Sequence, residues 1–289
     1  MAFAHPEYLI SPTDLSNKLG NPNLRIFDVS IALKPAATGY TAVSGIDDYQ
    51  EQHIPGAAFL DQMGQLSDPD SSLGFTRLPD DQLLKAFGEA GINADSDVVL
   101  YCSAHMMWAT RAWWLLHFCG HTQVAVLDGG LNAWREAGLA TSKEANQFKP
   151  ETLTTDMRPE KFVDCQAVQD AIGNDQFCTV NALSPAVYAG SGDMHYGRRG
   201  HIPASINVFY DSLLNDGSFR SEEEMRSTLT EAGLLDDKSV IAYCGGGISA
   251  TIDAFSCLML GKQDIAVYDG SMSEWVRDES LPLTEGESP

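Results

Sequence analysis

A thiol lodged between the end of a strand and the start of a helix is placed for covalent chemistry, and Cys244 stands at such a seam. The stretch runs Ser239-Val240-Ile241-Ala242-Tyr243-Cys244-Gly245-Gly246-Gly247-Ile248-Ser249-Ala250-Thr251. Before Cys244 the residues are β-prone and free of breakers; after the glycines, Ile248, Ile252, Phe255 and Met259 recur at helical spacing. Three consecutive glycines accept φ of either sign, so the backbone N–H groups of Gly245, Gly246, Gly247, Ile248 and Ser249 can turn inward on the sulfur. Together with the positive end of the following helix, such donors favour a thiolate over a thiol and would stabilise an anionic sulfur atom added to it. Ser249, at the helix start, is expected to cap the helix or to donate to the sulfur. The competing role for Cys244 is that of a small buried hydrophobe.

The elements that must position this thiol occur twice along the chain. Leu24–Val29 reads as a strand, followed by His53-Ile54-Pro55-Gly56-Ala57, a helix over Pro79–Ala90, a strand over Asp97–Cys102 and a Trp-rich helix over Met107–Phe118. The same order returns with His201-Ile202-Pro203-Ala204-Ser205, a helix over Ser221–Glu231, a strand over Val240–Tyr243 and a helix over Ile248–Leu260. Each copy closes alike, with a strand, Asp128-Gly129 or Asp269-Gly270, and then Trp134 or Trp275. Strands alternating with helices at short intervals predict an α/β chain of two tandem domains, each a mostly parallel sheet with helices on both faces. The boundaries expected are residues 1–142, a polar linker over 143–160, and residues 161–289. Within these repeats Asp128 and Asp269 are expected as turn and cap residues, Trp134 and Trp275 as core anchors, and His53 and His201 as loop fasteners bonded to backbone.

Composition narrows the partners. Eighteen basic against forty acidic residues give a formal charge of −22, which disfavours nucleic acid and anionic membranes. No apolar run is long enough to span a bilayer, and the N-terminal residues lack a basic-then-apolar leader, so a cytoplasmic protein is expected. The six cysteines form no C-x-x-C pair, which argues against a zinc site or a disulfide framework.

The His-Ile-Pro elements at 53 and 201, Asp-Gly-Gly-Leu-x-x-Trp at 128–134 and Cys-Gly-x-Gly-Ile-Ser-Ala at 244–250 resemble, in order and over nearly the whole chain, the two-domain rhodanese family of sulfurtransferases. The resemblance implies that the second domain carries the active cysteine and that the first is a degenerate copy forming one wall of the cleft. It implies sulfur transfer from 3-mercaptopyruvate or thiosulfate, through a Cys244 persulfide, to cyanide, a small thiol or a thioredoxin-like protein, with no metal or organic cofactor. The glycine-only loop is similar to that of the 3-mercaptopyruvate type, because the thiosulfate type carries cations there. Asp61 matches the family pattern. Gly246 stands where mercaptopyruvate enzymes carry a serine, Thr76 where the family has a histidine, and Asn181-Ala182-Leu183 where a strand usually ends Asp-x-Arg. Arg198 and Arg199 are the nearest replacements for the missing donor-binding arginine. Cys102, after the first-copy strand, faces a bulky, glycine-free loop, Ser103–Trp108, that would fill an anion cradle, so a structural or redox role is expected for it. Alternatives are a thiosulfate-preferring rhodanese, a non-catalytic sulfur-carrier or interaction module, and a cysteine phosphatase, although the 244–250 loop lacks the arginine a phosphatase needs.

Overall fold

A computed structural model describes residues 2–35 and 40–289. The first copy supplies β1 (Leu9–Ile10), β2 (Leu24–Asp28), a hairpin of β3 (Ile31–Pro35) and β4 (Tyr40–Ser44), β5 (Ala58–Phe59), β6 (Asp97–Tyr101) and β7 (Val124–Leu127). The second supplies β8 (Phe162–Val163), β9 (Phe177–Asn181), β10 (Ile206–Asn207), a short hairpin of β11 (Leu214–Asn215) and β12 (Ser218–Phe219), β13 (Ser239–Tyr243) and β14 (Ile265–Tyr268). The two five-stranded sheets have the orders β1-β7-β6-β2-β5 and β8-β14-β13-β9-β10, so the repeated sequence folds into a repeated topology. Every strand pairing in them is parallel; among the named strands only the two hairpins pair antiparallel. β6 and β13 sit at the centre of their sheets and are buried from their second residue onward, as near-continuous apolar runs in a parallel sheet require. No helix among the described residues is long and apolar enough to cross a membrane.

The paired motifs fasten each sheet in the same way. His53 Nδ1 lies 2.6 Å from the Tyr49 carbonyl and His201 Nδ1 lies 2.9 Å from that of Tyr188, and each imidazole stacks on the ring of the tyrosine it bonds. The next residue donates its N–H to the tyrosine ending the central strand: Ile54 to Tyr101 Oη at 3.2 Å, Ile202 to Tyr243 Oη at 3.1 Å. Both histidines are fully buried loop fasteners, as their sequence context predicts. Trp134 and Trp275 are core anchors whose Nε1 atoms donate to the Ala140 and Pro282 carbonyls, each at 2.9 Å.

Asp128 and Asp269 depart from the expected capping role. Neither caps the helix that follows it, Gly130–Glu136 or Ser271–Trp275. Each crosses to the other domain instead: Asp128 Oδ1 accepts the Phe219 N–H and Asp269 Oδ2 accepts the Arg77 N–H, both at 2.9 Å. This reciprocity is what a two-fold contact between related halves produces, here within one chain. Near its centre, Thr110 Oγ1 meets its repeat counterpart Thr251 Oγ1 at 2.8 Å. The helices that carry them, Met107–Phe118 and Ala250–Met259, pack against each other and are buried almost all round, with Trp113 edge-on to Phe255 at 4.8 Å.

Arg111, the next residue along the first helix, breaks the symmetry. It is 2% exposed, and Nη1 reaches Asp269 Oδ1 at 2.6 Å in an oblique charge contact. The same Nη1 donates to the Gly247 carbonyl at 3.1 Å, while Nη2 donates to the Phe75 carbonyl at 2.9 Å.

Two outcomes follow from these contacts. Arg111→Met leaves the Asp269 carboxylate short of its cation and should lower unfolding free energy by about 3–5 kcal/mol, the cost of breaking a buried pair from one side; equilibrium unfolding in guanidinium measures it. The second concerns Asp28 at the end of β2, whose Oδ1 accepts the Ser30 N–H at 2.9 Å, whereas the matching residue of the second copy is the neutral Asn181. Burial, opposed by the Ser30 hydrogen bonds, pushes the Asp28 carboxyl up to about 6. A carboxyl raised on folding supports the fold fully below its unfolded pKa and loses that support as pH rises through the folded value. Asp28→Asn should therefore stabilise the protein at pH 8 by up to about 3 kcal/mol and leave it unchanged near pH 3, read from denaturation curves at the two pH values.

Candidate active site

β13 ends at Tyr243, and the chain turns at Cys244 into the glycine loop. The loop is wrapped round one hydroxyl: Ser271 Oγ accepts the Cys244 and Gly247 N–H groups, each at 3.1 Å, and donates to the Tyr268 carbonyl at 2.7 Å. Ser271 holds φ at 49°, a strained left-handed setting for a residue with a side chain. The loop carbonyls are also engaged, because Met272 N donates to Cys244 O at 3.0 Å, Ser273 N to Gly245 O at 2.8 Å, and Arg111 to Gly247 O. Three acceptors of the turn, all but the Gly246 carbonyl, are thus occupied while more donors are left over. The N–H groups of Gly245, Gly246, Ile248 and Ser249 have no hydrogen-bond partner among the described residues. Gly247, expected to join them, is instead bound by Ser271. A turn with four surplus N–H groups and three of its four carbonyls bound favours anions.

Two of the three glycines are required by close approaches. A Cβ on Gly247, at φ 73°, would come within 2.6 Å of the Asp269 carbonyl, and one on Gly245 would strike the Tyr196 phenol. Gly246 faces open space, with Ser273 Oγ 3.9 Å from where a Cβ would sit, so no close contact there demands glycine. Ser249 does not cap the helix; its backbone is already helical and its side chain makes no cap bond. Its hydroxyl lies in the cavity wall beside Cys244.

That cavity has a volume of about 340 Å³ and draws on both domains: Phe75 and Trp108 from the first, Tyr196, Cys244, Ser249 and Ser273 from the second. Cys244 itself is 2% exposed in its wall. Thr76, standing where the resemblance places a histidine, is also in the wall and shares a 2.8 Å bond with Ser71 Oγ. No lysine or arginine lines the cavity among the described residues. Burial, reinforced by the Cys244 charge, pushes the Tyr196 phenol well above its usual range, and burial with the charges of Asp211 and Cys244 raises Tyr210. Both phenols stay neutral beside the thiol.

The three substrate contacts inferred from the resemblance or its gaps are absent from this wall. Arg198 donates to the Asp278 and Leu281 carbonyls at 3.0 and 2.9 Å, and Arg199 donates to the carbonyls of Gly190 and Gly192. Both guanidiniums brace backbone turns. Asp61 caps the short helix Gln62–Gln65 by accepting the Met63 N–H at 3.0 Å. Leu183, two residues past the strand end at Asn181, lines a neighbouring apolar cavity. The sequence reading missed Ser271, Tyr196 and Arg111; of these only Arg111 left a signal, a cation inside an otherwise apolar Trp-rich helix.

The first-copy thiol is differently placed. Cys102 Sγ donates to the His105 carbonyl at 3.1 Å, and burial, then the Asp28 charge, push the thiol up to about 12. Met106 and Trp108 of its bulky loop are buried, in keeping with a loop that fills its own cradle. Trp108 at the same time forms part of the wall above Cys244.

Comparison with known proteins agrees with this arrangement. The rhodanese-like domain family matches the chain twice, at residues 11–137 and 156–278. A probable 3-mercaptopyruvate sulfurtransferase of Pseudomonas aeruginosa is 33% identical over 96% of this chain and 98% of its own length. The thiosulfate sulfurtransferase of Mus musculus is 30% identical over 91% of this chain and 88% of its own. The crystal structure of a 3-mercaptopyruvate sulfurtransferase from Escherichia coli, 26% identical, superposes with a TM-score of 0.81 over 91% of this chain and 98% of that one. With two matched domains and relatives of this kind over nearly its full length, the chain belongs to the rhodanese family and is a tandem-domain sulfurtransferase of the 3-mercaptopyruvate/thiosulfate type.

Proposed function

We propose that the protein takes the thiol sulfur of 3-mercaptopyruvate onto Cys244, where it becomes the sulfane sulfur of a persulfide, and passes it to a thiol or cyanide. The observation that carries this reading is the donor-rich loop: four N–H groups unpartnered among the described residues, beside a thiol in the wall of a cavity. In the first half-reaction the Cys244 thiolate attacks the donor sulfur. The new S–S bond forms as the C–S bond breaks, its electrons leave on the enolate of pyruvate, and the enolate takes a proton; the outer sulfur keeps the proton of the donor thiol. The loop amides stabilise the negative charge as it passes between sulfur atoms. In the second half-reaction the acceptor attacks the outer sulfur and Cys244 leaves as the thiolate.

The wall chemistry supports the mercaptopyruvate donor over thiosulfate. A thiosulfate dianion is best held by cations, and neither the loop nor the described wall offers one. A single carboxylate can be met by hydroxyls and amides, and the Ser249 and Ser273 side chains, which make no hydrogen bond among the described residues, flank the loop for that purpose. Asp61, Arg198 and Arg199 have no part in this scheme. A thioredoxin-like protein remains within the acceptor class proposed.

Intact-mass measurement after exposure to each donor tests the reading. Wild type and Cys102→Ser should each gain one sulfur atom, Cys244→Ser none, and cyanide should return the mass to its starting value. Turnover should favour 3-mercaptopyruvate over thiosulfate in kcat/KM by about tenfold or more. Sulfur retained in Cys244→Ser but lost in Cys102→Ser would place the chemistry in the other domain.

A further inference from the structure

Beside the Cys244 cavity lies a second one of about 550 Å³, and the two share Leu33, Tyr40, Met107, Tyr196 and Ser249 in their walls. Its chemistry is different. Phe209 and Tyr210 form an aromatic side, and no lysine, arginine, aspartate or glutamate lines it among the described residues. Its rim gathers exposed apolar side chains: Leu33 at 45%, Tyr40 at 66% and Met194 at 44%, three of the four large hydrophobics exposed among the described residues. Leu33 and Tyr40 belong to the β3–β4 hairpin, which pairs with no other strand, and Met194 comes from the second domain. Apolar side chains converging from two domains on one cavity mark a ligand site more than a random surface.

The geometry points to a subsite that takes the apolar, preferably aromatic, body of an uncharged organic thiol, the acceptor of the Cys244 sulfur. The inference rests on the persulfide reading and names its acceptor class. Two chambers meeting at Tyr196 divide the chemistry: the amide-rich one holds the anionic sulfur, and the apolar one holds what must approach it. The volume falls within the roughly 300–1,000 Å³ of small-molecule sites, and aromatic edges with a thioether suit a ring. A surface without cations, on a chain of charge −22, disfavours anionic thiols. In the step itself the acceptor thiolate attacks the outer sulfur, an S–S bond to the acceptor forms, the bond to Cys244 breaks, and its electron pair stays on Cys244 Sγ. The acceptor leaves as a hydropersulfide.

The test loads the full-length enzyme with sulfur and follows its discharge by mass. Second-order rate constants are compared for 2-phenylethanethiol, 2-mercaptoethanol and 3-mercaptopropionate, thiols of similar acidity. Phenylethanethiol should exceed mercaptoethanol by about tenfold or more, from the apolar area it buries, and mercaptopropionate should be slowest. Met194→Glu and, separately, Tyr40→Ser should bring the phenylethanethiol-to-mercaptoethanol ratio toward one. As a ratio within each variant it is insensitive to any general loss of activity, and both positions are exposed. If the enzyme accepts sulfur and releases it to cyanide but the wild-type ratio is one, this inference fails alone. A ratio of one with dimers in sedimentation velocity would mean that a second copy covers the patch, which also overturns it. If the enzyme never gains sulfur, the persulfide reading fails and this inference with it.

Discussion

The grip of Arg111 on the Gly247 carbonyl and on Asp269 is the constraint on which the site depends. A guanidinium from the first domain holds a loop of the second from behind. Arg111 occupies the Gly247 carbonyl while Met272 and Ser273 amides occupy those of Cys244 and Gly245, which leaves the loop richer in free N–H groups than in free carbonyls. A buried charge is costly unless it is fully met, and here it is met by a carboxylate and two carbonyls. The contact therefore ties the relative position of the domains to the shape of the sulfur cradle: neither can shift without leaving a charge stranded.

The duplicated halves have taken separate tasks with nearly the same parts. Cys102 and Cys244 each follow a central strand, and each carbonyl accepts an N–H, from Leu131 or Met272 at 3.0 Å, of the helix that follows the neighbouring strand. The difference lies in the loop. Where the second copy has glycines and an open cavity, the first has Met106 and Trp108 packed inward, and its thiol is buried against Asp28 in a setting that resists ionisation. The same Trp108 that fills the space over the first thiol forms part of the wall beside the second, so the filling of one loop and the enclosure of the other are linked.

Much of this was legible in the sequence, and the limits have physical reasons. The repeated His-Ile-Pro elements, the Asp-Gly-x-x-x-Trp closures and the strand–Cys–glycine–helix order are local patterns, set by backbone geometry over a few residues, and they carried the tandem α/β fold and the placing of Cys244 between a strand and a helix. Contacts across the seam are not local. Asp269 reads as a turn residue because Asp-Gly turns are common; that it meets Arg111 and the Arg77 amide depends on how two domains dock. Ser249 reads as a cap by position, yet the helical setting of its own backbone removes the cap geometry. Arg198 and Arg199 read as anion binders by charge alone, whereas carbonyls in the neighbouring turns claim both side chains. Tyr196 carries no motif at all, and it sits over Gly245 only because a long loop brings it there.

The wall contributed by Phe75 and Trp108 has an evolutionary corollary. An N-terminal half without a working thiol would ordinarily be free to drift or be deleted. Here substitutions in it are constrained by its twin, since the wall beside Cys244 and the fastening of the Cys244 loop are both borrowed from that half. The C-terminal half expressed alone would lack both the Phe75 and Trp108 wall and the Arg111 fastening.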